Sequence, residues 1–290
     1  MENVEVLLEA LPFIKEFYGQ TMVFKIGGHA MVNDEVLEEI VKDILLLYFT
    51  GIKPVVVHGG GPEISEKMER LGLKPKFVEG LRVTDRETME VVEMVLDGKI
   101  NSRIVSMFIK NGGKAVGLSG KDGLLIVAEK KLLKLKKGME ETMVDLGFVG
   151  ETKLVNPGIL RLLLDNGFIP VVSPVSADLE GNVYNLNADS VAGDIASALR
   201  AKKLIMLTDV PGILRDVNDK NSLISRIKLS ELEQLYEKGV LKGGMLPKFD
   251  AIAKALRGGV EKVHVIDGSK KHAILLELFT KEGIGTMVEL

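Results

Sequence analysis

From residue 21 onward, short apolar runs alternate with longer stretches in which apolar side chains return every three or four positions. Met22-Val23-Phe24-Lys25-Ile26, Lys53-Pro54-Val55-Val56-Val57, Phe168-Ile169-Pro170-Val171-Val172-Ser173, Leu204-Ile205-Met206-Leu207 and Val263-His264-Val265-Ile266 are runs of the first kind. So few polar side chains predict strands buried on both faces, as in a parallel sheet. The periodic stretches predict helices from 34 to 50, from 61 to about 71, from 86 to 110, from 190 to 199, from 230 to 238, up to about 258, and from 271 to 280. Strand Ala115-Val116-Gly117-Leu118-Ser119 leads into a polar glycine loop, and Asn156-Pro157 opens a further helix. Lys130 to Lys137 alternates basic and apolar residues, which reads as a solvated hairpin and less well as a nucleic-acid patch. Met143-Val144-Asp145-Leu146-Gly147 starts another strand. Alternation of this kind predicts an α/β fold with a largely parallel sheet.

One helix stands ahead of that alternation. Val4, Leu7, Leu8, Leu11, Ile14 and Phe17 fall at helical spacing, with Pro12 placed to kink the helix or split it in two and Gly19 to end it. Its apolar stripe needs a cover, either from its own domain or from a second subunit.

Composition narrows the class. The 290 residues are 46% hydrophobic, enough for a sizeable core, and contain no cysteine, so disulfides and thiolate metal sites are excluded. No apolar run is long enough to span a bilayer and no leader opens the chain, so a cytoplasmic protein without a membrane partner is expected. A net charge of −3 and the absence of tryptophan give no reason to expect nucleic acid. His29, His58, His264 and His272 are scattered singly, so no metal site is expected from the chain itself.

Candidate chemistry sits where strands end. Lys25 closes the first strand, and Gly27-Gly28 after it lets backbone N–H groups approach an anion. His58-Gly59-Gly60-Gly61-Pro62 is a second glycine turn ahead of a helix N-terminus, another site suited to negative charge. Neither turn is Gly-x-Gly-x-x-Gly or a Walker sequence, which argues against a dinucleotide site or a P-loop. Arg82, among apolar residues, suits either a ligand carboxylate or an acidic side chain of the protein. Asn185, Asn187 and Asp189 crowd the start of a helix; a cap accounts for one of them and not for all three. Lys248 occupies the first turn of a helix, where the macrodipole disfavours a cation, so a task beyond helix design is favoured.

In this order, Lys25-Ile26-Gly27-Gly28, His58-Gly59-Gly60-Gly61, Gly80-Leu81-Arg82-Val83-Thr84, Asn185-Leu186-Asn187-Ala188-Asp189, Thr208-Asp209-Val210-Pro211-Gly212-Ile213-Leu214 and Gly244-Met245-x-x-Lys248 resemble the amino acid kinase family. The blocks around Arg82 and Asp189 point to its branch acting on N-acetyl-L-glutamate. The resemblance implies an open, largely parallel αβα sandwich with two lobes and an extra N-terminal helix. Residues 1–20 would form that helix, 21–173 a lobe for the amino acid and the dimer contact, and 174–290 a lobe for ATP and an effector. It implies ATP-dependent phosphorylation of the side-chain carboxylate of N-acetyl-L-glutamate, with Mg²⁺ held mainly by phosphates.

By the same resemblance Lys25 and Lys248 meet the phosphoryl group from opposite sides and Asp189 holds both. Gly27, Gly28, Gly60 and Gly61 offer N–H groups to the acceptor carboxylate and the phosphoryl oxygens, and Arg82 and Asn185 grip the α-carboxylate end. Thr208, Asp209, Val210, Gly212, Ile213 and Leu214 wall the nucleotide. Thr208 stands where serine is common, and the loop Ser119 to Gly123 varies between members. The N-terminal helix and the tail resemble the members inhibited by L-arginine, which implies a hexamer built as a trimer of dimers, with Tyr18, His272, Glu282 and Gly285 near the effector. Competing readings are a family member acting on another carboxylate or carbamate, and a non-catalytic arginine- or nucleotide-binding regulator.

Overall fold

The structure is a computed structural model, and it describes residues 2–137, 140–216, 219–241, 245–280 and 282–290. The chain opens on α1 (Glu2–Phe17) and enters its sheet through β1 (Thr21–Ile26), followed by α2 (Asp34–Phe49), β2 (Lys53–His58) and α3 (Gly61–Arg70). A small hairpin of β3 (Phe77–Val78) and β4 (Leu81–Arg82) leads to α4 (Arg86–Glu93), a wider helical turn at Met94–Ile100, α5 (Asn101–Lys110) and β5 (Ala115–Ser119). A long hairpin, β6 (Ile126–Lys137) and β7 (Glu140–Val155), precedes α6 (Gly158–Asp165), β8 (Ile169–Ser173), β9 (Val175–Ala177) and β10 (Val183–Asn185). The rest comprises α7 (Ala188–Leu199), β11 (Lys203–Thr208), β12 (Arg226–Lys228), α8 (Leu229–Glu237), α9 (Met245–Arg257), β13 (Lys262–Asp267), α10 (Ala273–Phe279) and β14 (Thr286–Glu289).

Eight strands form one sheet in the order β12-β14-β13-β11-β1-β2-β8-β5, with every pairing parallel except β13 with β14. The alternation along its strands fills two cores, one on each face. Val23, Val55, Val57, Met206 and Val265 point to the core shared with α7 and α9. Phe24, Val56, Ile205, Leu207 and Ile266 point to the core shared with α2, α4, α5 and α10. A sheet covered on both sides explains why its strands read as nearly unbroken apolar runs. α2 and α4 start on side-chain caps: the Asn33 side chain accepts from Glu35 N (3.0 Å), and that of Asp85 from Thr88 N (2.9 Å).

Four departures from the sequence reading stand out. α1 runs through Pro12 as one element instead of splitting. β6, β7, β9 and β10 close into a separate four-stranded barrel that the sequence reading did not anticipate. β12 and β14 were not read as strands; three or four residues are too few for a period-two pattern to register. The last helix begins at Ala273, because His272 before it sits in the left-handed region (φ 56°). The β6–β7 hairpin matches the solvated hairpin expected there, although its tip at 138–139 and Gly244 lie outside the described residues. Among the described residues no helix is long and apolar enough to cross a membrane.

Candidate active site

The connections leave the centre of the sheet in opposite directions, from β1 to β2 on one side and from β11 to β13 on the other. Loops diverge at such a point and leave a crevice outside the carboxyl ends of the strands, where open α/β sheets bind ligands. Here a cavity of about 430 Å³ is lined by Lys25, Gly27, Gly28, Gly59, Gly60, Gly61, Arg82, Asn185 and Asp189, among others.

Asp189 is its central acid. Asn187 caps α7, its Oδ1 accepting from Asp189 N (2.9 Å) and Ser190 N (3.1 Å), which leaves the Asp189 carboxylate to other partners. Those partners are two lysines from distant parts of the chain. Lys25 Nζ, at the end of β1, lies 2.8 Å from Asp189 Oδ1, and Lys248 Nζ, in the first turn of α9, lies 3.1 Å from Oδ2. Burial alone would raise the Asp189 pKa; the charges of Lys25 and Lys248 outweigh it and hold the carboxyl below its ordinary value. A cation at a helix N-terminus is thus explained by a carboxylate set opposite it.

Two glycine turns face this group. Gly60 carries no side-chain cap for α3, so the helix offers free N–H groups to the cavity. A Cβ at Gly60 would run into Ile100 and Leu96, so a side chain there would displace the packing behind the turn. His58 fixes the turn from behind: its Nδ1 donates to Gly59 O (3.1 Å), and its Nε2 accepts from Asn101 Nδ2 (3.2 Å), which also donates to Val171 O (2.9 Å). Full burial pushes the His58 pKa down to about 4, so this histidine is neutral.

Arg82 differs from the lysines. It is buried, and its guanidinium donates to Gly61 O (2.9 Å), Ser65 Oγ (2.8 Å) and Met68 Sδ (3.3 Å) while lying 4.7 Å from the Phe77 ring centroid. Each of these partners is neutral, which removes the reading of Arg82 as one half of an internal ion pair. Burial lowers its pKa. A buried cation at a cavity wall, with neutral partners among the described residues, is chemically suited to an anion.

The Thr208 to Leu214 loop does not line this cavity, although it adjoins it: a Cβ on Gly28 would come 3.6 Å from Asp209 Cβ. Val210 N donates to Thr208 Oγ1 (3.1 Å), and Ile213 N to Thr286 Oγ1 (2.8 Å), so the loop is held by side-chain acceptors. The expected effector residues are Tyr18, His272, Glu282 and Gly285. Tyr18 lines a different groove, with Tyr48, Phe49, Lys53 and Phe168, to which none of the other three contributes. His272 Nδ1 lies 2.8 Å from Asp43 Oδ1 on α2, Gly285 N donates to Glu277 Oε2 (3.0 Å), and Glu282 is exposed.

The model of the amino acid kinase family matches residues 20–267. The chain belongs to the amino acid kinase family. It is similar to an acetylglutamate kinase of Archaeoglobus fulgidus, 76% identical over 289 residues and 100% of both chains. Among solved structures it is similar to an N-acetylglutamate synthase from Neisseria gonorrhoeae complexed with coenzyme A and N-acetyl-glutamate, at TM-score 0.85 and 27% identity, over 99% of this chain and 63% of that one. The same synthase complexed with coenzyme A and L-arginine matches at TM-score 0.81 and 26% identity, over 99% and 65%.

As an amino acid kinase family member the chain has further cavity-lining residues that its sequence did not single out. Lys131 and Glu151 come from the β6–β7 hairpin, and Asp194, Asp250 and Lys254 from α7 and α9. Asp194 was the visible clue, a lone charge inside an apolar helical stretch. Lys131 was hidden in a hairpin whose alternation looked fully solvated.

Proposed function

We propose that the chain transfers the γ-phosphoryl group of ATP to the side-chain carboxylate of N-acetyl-L-glutamate. The observation that carries this is the Lys25–Asp189–Lys248 bridge, with Lys25 and Asp189 lining one cavity with Arg82 and Lys248 reaching Asp189 from α9. The near-identity in length and the 76% identity to an acetylglutamate kinase support the choice of acceptor. The nucleophile is a carboxylate, already ionised at neutral pH, so no general base is needed. One of its oxygens bonds to the γ-phosphorus while the bond from that phosphorus to the β–γ bridging oxygen breaks. The products are an acyl phosphate and ADP, and no proton moves.

The barrier is the approach of two anions and the charge gathered on the equatorial oxygens, so positioning and electrostatics dominate. Lys25 meets the phosphoryl group from the acceptor side and Lys248 from the nucleotide side, with Asp189 keeping both ammonium groups at their stations. Gly27, Gly28, Gly60 and Gly61 present N–H groups. Arg82 and Asn185 take the α-carboxylate end, and the loop from Thr208 to Leu214 takes the nucleotide. Among the described residues no cluster of three or more His, Asp or Glu could hold a metal, so Mg²⁺ would be held mainly by the nucleotide's phosphates and would supply charge neutralisation there. In this reading the segment up to residue 173 serves the amino acid and the dimer contact, and the segment after it serves ATP.

Regulation by L-arginine belongs to the same proposal, in a hexamer assembled through α1. Its support is the apolar side of α1 that its own chain leaves open: Phe13 and Phe17 pack inward, while Leu8 and Leu11 are exposed. His272, Glu282, Gly285 and Tyr18 are the residues assigned to the effector region. The deciding experiment for the activity is ADP release with N-acetylglutamate, glutamate, aspartate and carbamate as acceptors. Turnover confined to N-acetylglutamate is expected, and turnover with any other acceptor at equal kcat/KM would overturn the assignment.

A further inference from the structure

α7 and α9 carry the two partners of the Lys248–Asp189 contact, and they pack main chain against main chain. A Cβ added to Gly193 would stand 2.8 Å from the carbonyl oxygen of Ala251 and 3.3 Å from its Cα. Those neighbours are backbone atoms and cannot rotate aside. Gly193 lies inside α7 without a left-handed φ, so its conformation does not call for glycine, and glycine weakens a helix interior relative to alanine. Close approach is the reason that remains.

The contact is also well placed. Gly193 lies about one turn beyond Asp189 on α7, and Ala251 just under one turn beyond Lys248 on α9. Farther along, buried Asp194 is ion-paired with Lys254, and Ser197 Oγ donates to Gly258 O at 3.5 Å. The two helices form a single seam that ends at the lysine–aspartate bridge.

Resting on the kinase reading above, we propose that Gly193 is a positioning residue. By letting α9 seat directly on α7, it sets where Lys248 Nζ stands relative to Asp189, and so relative to the transferring phosphoryl group. Lys25 comes from β1 and Arg82 from the β3–β4 hairpin, so a change at the seam leaves the acceptor end in place.

Steady-state kinetics on Gly193→Ala, Lys248→Ala and their combination test this. Gly193→Ala is expected to lower kcat by about 10- to 100-fold, the loss expected from an ångström-scale misplacement, with the KM for N-acetylglutamate changed less than about twofold. In the Lys248→Ala background the same substitution is expected to change kcat by less than about twofold, because no ammonium is left to misplace. An equal loss in both backgrounds overturns the proposal, as does a raised KM at unchanged kcat. Asp194→Asn adds no bulk and keeps the test open where Gly193→Ala does not fold. Its expected loss of about three- to tenfold in kcat must likewise vanish without Lys248, and a loss that persists overturns the proposal. Normal turnover in Lys248→Ala would instead sink the reading of the site itself. A crippled Lys248→Ala beside fully active Gly193→Ala and Asp194→Asn would sink only the positioning role.

Discussion

At the scale of single residues, the site rests on charges placed with little slack. Lys25→Ala and Lys248→Ala are each expected to lower kcat by roughly 10²–10³-fold, the usual loss for one charge-stabilising group, and single-turnover measurements would show whether the loss lies in the chemical step. Arg82→Lys keeps the charge but loses the planar fork. Its expected signature is a rise of about tenfold in the KM for N-acetylglutamate with a smaller change in kcat, and the reverse pattern would remove Arg82 from ground-state binding. His58 gives a pH prediction. In the unfolded chain it takes up a proton below about 6.5, whereas in the folded chain it stays neutral down to about 4. Between those values the unfolded state binds more protons, so stability falls as pH falls through that window and the effect levels off below it. The full contribution is roughly 3 kcal/mol from a shift of about 2.5 units. Urea midpoints at pH 7 and pH 5 should therefore converge in His58→Gln relative to the unsubstituted protein.

At the scale of elements, the proposal gives two helices separable tasks. α7 begins on Asn187, whose side chain satisfies two amides directly beside Asp189. Asn187→Ala is expected to cost about 1 kcal/mol of stability in chemical denaturation, with the range for lost caps spanning roughly 0.5–2 kcal/mol. Among the described side chains, those that pin α1 to its own chain include Phe13 and Phe17. Phe13 lies 6.2 Å from Phe279 between ring centroids, and the Phe17 ring sits 5.2 Å from Lys203 Nζ. The joint substitution Leu8→Glu and Leu11→Glu leaves those anchors intact and charges only the open face. Sedimentation velocity should then report dimers in place of hexamers, with turnover retained and arginine sensitivity weakened; a particle of unchanged mass would remove α1 from assembly.

At the scale of the whole molecule, the sequence disclosed the sheet and the charged residues that meet at its centre, but not the walls around them. The strands of the large sheet were legible because burial on both faces leaves runs such as Lys53 to Val57 with almost no polar residue. The barrel of β6, β7, β9 and β10 was not, because β9 and β10 are three residues each and join the β6–β7 hairpin through a single residue pair apiece, which leaves only the hairpin pattern to read. Lys25, Asp189 and Lys248 could be chosen because they fall in the motifs that resemble the amino acid kinase family, and Lys248, a cation at a positive helix end, also sits oddly for a structural residue. Gly193 offered no such oddity, since its constraint comes from the main chain of another helix. The shared aspartate has one more consequence. Both lysines are engaged by Asp189, so a stray inorganic anion drifting into the crevice must compete with a built-in carboxylate for their attention. A ligand that brings several negative groups at once, spread over both ends of the crevice, competes better for them than a small salt ion that brings one.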